Sequence, residues 1–211
     1  MLKTQTMHYE ALTENGKKLF PKLAEFPDFY LAGGTALAFQ IGHRVSVDFD
    51  LFIGGKIKKT LLAKVEEVFS KCTREILVNN SNELTLLADS VKITFLSYPF
   101  PVLLPFEKQK GINFLGIKEI GATKAYTIGR RGQIKDYIDV YFILKEQHAT
   151  LLEIMEFAEK RYGEAFDRRL FLEQLLFLDD IEDAKISFLR DPIDKNGLKE
   201  FFESEVRKIQ L

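Results

Sequence analysis

The chain has one cysteine, Cys72, in 211 residues, so it cannot form an internal disulfide and fits a reducing compartment. No uninterrupted apolar run approaches the roughly 18 residues that a membrane helix needs. The opening stretch MLKTQTMHYE lacks the apolar core of a signal peptide. Together these absences lead us to expect a cytoplasmic protein without membrane contact. There is no excess of charge either. Lys and Arg number 30 against 31 Asp and Glu, a formal net charge of -1, so any nucleic-acid contact must come from local basic patches and not from a bulk field. Internal repeats, low-complexity segments and an obvious flexible linker are also missing. What remains, 46% apolar and 29% charged, is the composition of an ordinary globular protein with room for one substantial domain and a helical appendage.

The most informative stretch is Leu31–Phe52, LAGGTALAFQIGHRVSVDFDLF. An apolar lead-in reaches Gly33-Gly34, then Thr35 and a helix-capable run to Ile41. Glycines let a backbone approach a phosphate closely, and the helix that follows offers free N–H groups and a positive dipole end to an anion. A polar turn through His43, Arg44 and Ser46 then delivers Asp48-Phe49-Asp50. In an extended strand Asp48 and Asp50 share one face, roughly 6–7 Å apart at about 3.3 Å per residue, while Phe49 and Leu51 point to a core. Paired carboxylates at this spacing suit a divalent cation that arrives with substrate phosphates. A phosphate seat followed by metal carboxylates points to nucleotidyl transfer.

The rest of the chain supplies a frame. Residues 8–25 read as one or two helices broken near Pro21, and 29–31 and 47–53 as strands. A helix begins after Thr60, a candidate N-cap, with Leu61, Leu62, Val65, Val68 and Phe69 on one stripe. Strands are expected at 75–78, 84–87 and 91–97, then an irregular, proline-rich crossing over 99–112. From Lys118 the pattern is helical, with segments at 134–146, 150–162, 167–178 and 195–209. We therefore expect an α/β (α+β) fold: a small mixed-sheet core over 1–117 and a helical part over 118–211 packed on it.

A second polar cluster lies in Ala122–Leu144. Lys124 falls on a helix ending in Arg130-Arg131, and Asp136 and Asp139 share one face of the next helix. On residue types alone, those two aspartates read as surface partners of Arg130, Arg131 or Lys135.

A Gly-Gly turn, a gap of about a dozen residues and Asp-x-Asp resemble the signature of the polymerase-β-like nucleotidyltransferase fold. The fuller string, LAGGTALA with GHR-x-S-x-DFDLF, is similar to the AbiEii family, nucleotidyltransferase toxins of bacterial toxin–antitoxin pairs. The second cluster resembles the family's later pattern of a helix lysine, an arginine and a Lys-Asp-Tyr-x-Asp helix. The resemblance implies transfer of a nucleoside monophosphate from a nucleoside triphosphate, with tRNA as the expected acceptor and a separately encoded antitoxin as partner. It further implies that Gly33, Gly34, Thr35, Arg44 and Ser46 seat the nucleotide and that Asp48 and Asp50 hold Mg2+ or Mn2+. Lys124 would neutralise phosphate charge, and Asp136 or Asp139 would assist the acceptor hydroxyl.

Other readings stand beside these. Asp48 and Asp50 alone could be the solvent face of an edge strand, and Arg44 could pair with Asp48 instead of phosphate. His43 reads as a packing residue, and Cys72 has no catalytic context. The aromatics Phe142, Phe157, Phe166, Phe171 and Phe177 read as core. Many enzymes of the fold carry a third carboxylate on a later strand, where this chain has Thr94; the nearest acid, Asp89, falls in a turn. A small-molecule acceptor, or a nucleotide- or RNA-binding module without turnover, are the alternatives to RNA modification.

Overall fold

The computed structural model describes residues 7–209, without the Arg131 side chain; the reading of the N-terminal stretch falls in part outside them. The described residues separate into two compact units that divide between Leu115 and Gly116.

The first unit is built on a seven-stranded mixed sheet. Its strands are β1 (Tyr30–Ala32), β2 (Phe49–Ile53), β3 (Arg74–Asn79), β4 (Glu83–Ala88), β5 (Val91–Ser97), β6 (Glu107–Gln109) and β7 (Ile112–Phe114). The spatial order is β3-β4-β5-β2-β1-β7-β6. Strand β2 is central, antiparallel to β1 and parallel to β5. Three α-helices accompany the sheet: α1 (Glu14–Leu19), α2 (Gly33–Ile41) and α3 (Leu61–Val68). Pro21 does mark a break, because α1 gives way to a 3-10 turn over Phe20–Glu25 with the proline at its start.

Alternation fixes which side of β2 meets the core. Phe49 and Leu51 are buried while Asp50, Phe52 and Ile53 are partly exposed. Burying each apolar side chain is worth about 1.5–3 kcal/mol, and a one-residue slip would drive Asp50 into the core. Phe49 joins a cluster of Phe20, Phe39 and Phe114, in which Phe20 and Phe39 rings lie 4.7 Å apart and Phe39 stacks on Phe114 at 5.6 Å. Since Phe39 belongs to α2, this cluster ties the helix to the strand that carries the aspartates.

Two expectations change. The crossing at 99–112 ends in a hairpin, β6–β7, whose two-residue loop Lys110-Gly111 has positive φ at both positions (49° and 79°), the backbone that favours two-residue hairpins. Thr60 stands at the start of α3, but its side chain makes no capping bond.

The second unit is helical: α4 (Ile117–Arg131), α5 (Ile134–Lys145), α6 (Leu151–Tyr162), α7 (Arg168–Leu176) and α8 (Lys195–Arg207). Thr150 and Glu153 close α6 with a reciprocal capping box, and Asp167 and Asp194 cap α7 and α8. The fully buried pair Glu119–Arg161, at 3.1 Å, joins α4 to α6. Phe142, Phe166 and Phe171 are core as expected, whereas Phe177 is 51% exposed just past α7. Among the described residues no helix is long and apolar enough to cross a membrane.

Candidate active site

Helix α2 starts at Gly33 itself, directly after β1. Gly33 has φ +67°, a left-handed conformation that favours glycine, and a Cβ added there would lie 2.7 Å from Asp50 Oδ2. The register Ala32↔Asp50 across β1 and β2 brings these two residues together. The Asp50 carboxylate therefore sits against the N-terminus of α2, where the free N–H groups and dipole favour anionic groups. At the other end Gly42, φ +64°, closes α2 with its N–H on the Ala38 carbonyl.

The turn between α2 and β2 is pinned by hydroxyls. Thr35 is 3% exposed, and its Oγ1 bonds the Asp48 carbonyl oxygen and lies 2.7 Å from Ser46 Oγ. A carbonyl only accepts, so Thr35 donates to Asp48 and Ser46 donates to Thr35. Ser46 is held again from its backbone, where its N–H donates to the Ala11 carbonyl at 2.8 Å. Arg44 is buried, with Nη1 donating to the Val45 carbonyl at 3.3 Å, and His43 is buried beside it. Of the residues expected to seat a nucleotide, Gly33, Gly34 and Ser46 are partly exposed, while Thr35 and Arg44 are buried.

Asp48 immediately precedes β2, and its Oδ2 lies 3.6 Å from Lys92 Nζ on β5. Thr94, the residue at the possible third-carboxylate position, pairs directly with Asp50 in the β2–β5 register. Asp89 is elsewhere: it forms the β4–β5 turn with φ 46° and accepts a hydrogen bond from Thr73 N–H. Cys72 is near that turn; burial, with the Asp89 charge second, pushes its thiol above the usual range, which disfavours the nucleophilic thiolate.

In the helical unit Lys124, Asp136 and Asp139 come together. Lys124 Nζ lies 2.7 Å from Asp136 Oδ1 and 2.7 Å from Asp139 Oδ2, with side-chain exposures of 7%, 8% and 0%. Asp136 Oδ2 also accepts the Gln133 N–H at 3.0 Å, completing a capping box at the start of α5. These aspartates are thus buried and not on the surface: the helix turns both of them inward to meet the Lys124 ammonium. Arg130 instead stacks over Tyr126 at 3.7 Å and donates to the Ala165 carbonyl, and Arg168 and Arg169 pair with Glu159 and Glu173.

With this geometry in place, comparison with known proteins is specific. The family described as "Nucleotidyl transferase AbiEii toxin, Type IV TA system" matches residues 17–209. The chain belongs to the AbiEii family. An uncharacterized protein of Aquifex aeolicus is 31% identical over 191 residues, covering 86% of this chain and 87% of that one. Among solved structures, a putative nucleotidyltransferase from H. pylori has a TM-score of 0.57 at 18% identity, with 96% of this chain and 97% of that one covered. MenT4, a nucleotidyltransferase toxin from Mycobacterium tuberculosis H37Rv, has a TM-score of 0.57 at 17% identity over 90% and 80% of the two chains. These structural likenesses show the fold. The family makes the protein a nucleotidyltransferase of a toxin–antitoxin class.

The residues of this AbiEii-family protein fit a hard divalent cation. Asp48 and Asp50 offer carboxylate oxygens, both are partly exposed, and Gly33 leaves open the space that a Cβ would take from Asp50. Oxygen donors of this kind suit Mg2+ or Mn2+. Among the described residues no group of three or more His, Cys, Asp or Glu side chains is assembled to hold a metal. An ion there would take its remaining ligands from water and substrate phosphates. The residue that sequence reasoning passed over is Lys92. It stands two positions before Thr94, and strand alternation places it on the same face.

Proposed function

We propose that this AbiEii-family nucleotidyltransferase transfers a nucleoside monophosphate from a nucleoside triphosphate to the acceptor end of tRNA, releasing pyrophosphate. The observation that carries the reading is the Gly33–Asp50 juxtaposition, which puts a metal-type carboxylate beside the N-terminus of a helix, the end that favours phosphate. Asp48 and Asp50 hold the divalent cation, which when bound offsets charge on the triphosphate. Gly33 and Gly34 present backbone N–H groups to the phosphates, and Ser46 lies at the rim. Thr35 and Arg44, being buried, act by holding the α2–β2 turn so that Asp48 faces outward.

For the helical unit, the resemblance assigns phosphate neutralisation to Lys124 and acceptor-hydroxyl activation to one of the two aspartates. Asp136 also accepts the Gln133 N–H at its helix cap, and either aspartate, each 2.7 Å from Lys124, is a candidate for the second role. The tRNA acceptor and the antitoxin partner rest on family resemblance, and a nucleoside triphosphate donor is the reason to place the reaction in the cytoplasm.

The test is acceptor choice. Purified protein, Mg2+ and each α-labelled nucleoside triphosphate are incubated with total tRNA or with a panel of small hydroxyl acceptors. Label in tRNA that is removed by ribonuclease supports the reading. Label only in small molecules moves the acceptor to that class, and nucleotide binding without product in either set makes the protein a binding module.

A further inference from the structure

The C-terminal end of α4 carries a stack of three planar groups. Two of them stand over the Tyr126 ring. The Arg130 guanidinium is 3.7 Å from its centroid, and the Tyr162 ring of α6 is 4.0 Å away and nearly parallel at 13°. Two groups that close cannot share one face of a ring, so Tyr126 is sandwiched and the order is Arg130–Tyr126–Tyr162. The foot of this column is fixed. Tyr162 is buried, its hydroxyl donates to Thr123 Oγ1 at 3.1 Å, and Thr123 donates in turn to the Glu119 carbonyl at 2.9 Å.

The column ends in an exposed guanidinium. Arg130 donates from Nη1 to the Tyr126 carbonyl at 3.4 Å and from Nη2 to the Ala165 carbonyl. Those bonds leave from the edge of the planar group, and Tyr126 takes one of its faces. Among the described residues its other face and its remaining donors are open. Its charge is open as well. Arg161, Arg168, Arg169, Arg190 and Arg207 each meet a glutamate at 2.7–3.3 Å, whereas Arg130 meets two carbonyls and a ring. At the adjacent Gly129 an added Cβ would meet nothing within 4 Å, so this side of α4 is uncovered too.

A planar cation held still on an aromatic column suits a ligand that is flat and has negative charge close by. An unpaired nucleotide has both: its base stacks on a guanidinium plane, and its phosphate accepts the leftover N–H donors. With a net charge of -1, the chain must make any RNA contact through local features of this kind. A side chain already fixed in place also loses little freedom on binding.

We infer that the outer face of Arg130 seats an unpaired base of the acceptor RNA. This rests on the RNA-acceptor reading of the proposed function and adds the residues that hold the strand. The acceptor is assigned in preference to the base of the donor triphosphate because Asp136 and Asp139, the candidates for assisting the acceptor hydroxyl, belong to the same helical unit.

The experiment has two arms, both with the full chain and Mg2+, and melting curves confirm that each variant is folded. In the first, fluorescence anisotropy compares a labelled single-stranded oligoadenylate RNA with an abasic ribose–phosphate strand of the same length. The wild type should bind the oligoadenylate about tenfold more tightly than the abasic strand, the scale of one base stack. Arg130→Ala should bind the two alike. Arg130→Lys keeps the charge without the plane and should lose most of the preference, while Tyr126→Phe keeps the column and should retain it. In the second arm, transfer to total tRNA is followed, and Arg130→Ala should raise KM for tRNA about tenfold with KM for the nucleoside triphosphate unchanged. An arginine that only ties Ala165 to α4 would change the melting temperature and leave both preferences intact. Equal binding of the two strands by the wild type, an undiminished preference in Arg130→Ala, or a raised KM for the triphosphate instead of tRNA overturns the inference. The RNA-acceptor reading then still stands on the label that the wild type puts into tRNA. Absence of that label overturns the reading and the inference with it.

Discussion

Asp50 Oδ2 lies 2.7 Å from the point where a side chain on Gly33 would begin. The glycine and the carboxylate therefore specify each other, although 17 positions separate them in the chain. A side chain at Gly33 faces two penalties, a left-handed φ and a collision with Asp50, and they are separable. Gly33→Ala should lower stability by about 1–2 kcal/mol from the backbone strain and abolish transfer by displacing the carboxylate. Paired with Asp50→Ala, which removes the collision, its stability cost should shrink, giving a positive coupling in a double-mutant cycle measured by urea unfolding.

Lys124 is the counter-charge of two buried carboxylates. Lys124→Met removes the ammonium that both Asp136 and Asp139 meet at 2.7 Å, and breaking a buried pair from one side costs about 3–5 kcal/mol. We expect a large drop in unfolding free energy in Lys124→Met and a smaller one when Asp139→Asn is added, because one of the two buried negative charges is then gone. Loss of transfer in the single variant is therefore not by itself a sign of chemistry. A folded Lys124→Met/Asp139→Asn protein without transfer is the informative case.

Much of the first of these relationships was legible in the chain, and little of the second. Period-two alternation around Asp48-Phe49-Asp50 separates core from site, and a glycine pair between a strand and a short helix marks a tight turn that a phosphate can approach. By contrast, Asp136 and Asp139 at a three-residue spacing mark a common face without saying which way it turns. Only the packing of α4 and α5 aims it at Lys124. Lys92 was hidden for a related reason: it lies 44 positions from Asp48, and only the parallel pairing of β2 with β5 makes them neighbours. The β6–β7 hairpin was masked by prolines at 99, 101 and 105 and by a Lys-Gly loop, which lacks the Asn-Gly or Asp-Gly form that announces such turns. Phe177 was assigned to the core on spacing, but α7 ends one residue before it.

Tyr137 links the helical unit to pH. Its buried hydroxyl donates to the Gln174 carbonyl at 3.1 Å, and burial, with the charges of Asp180 and Asp136 second, pushes its pKa from 10 up to about 12. Below pH 10 both folded and unfolded chains keep the proton and nothing is gained or lost. Between pH 10 and 12 the unfolded chain releases it first, so stability falls with rising pH by up to about 2–3 kcal/mol. Melting temperatures across this window should fall more steeply for wild type than for Tyr137→Phe, which has no proton to lose.

On the proposed function, Asp48 and Asp50 hold the ion on which nucleotidyl transfer depends, and a single comparison tests this. Wild type and Asp48→Asn/Asp50→Asn are each given Mg2+, total tRNA and the four α-labelled nucleoside triphosphates, with circular dichroism confirming equal folding. The two asparagines keep shape and remove charge from partly exposed positions, so the fold should survive. We predict label in tRNA from at least one nucleotide with the wild type, and a loss of at least about a thousandfold in the variant, the scale of removing electrostatic stabilisation of a transferring group. Comparable labelling by the folded variant would contradict the account and place the chemistry elsewhere in the chain.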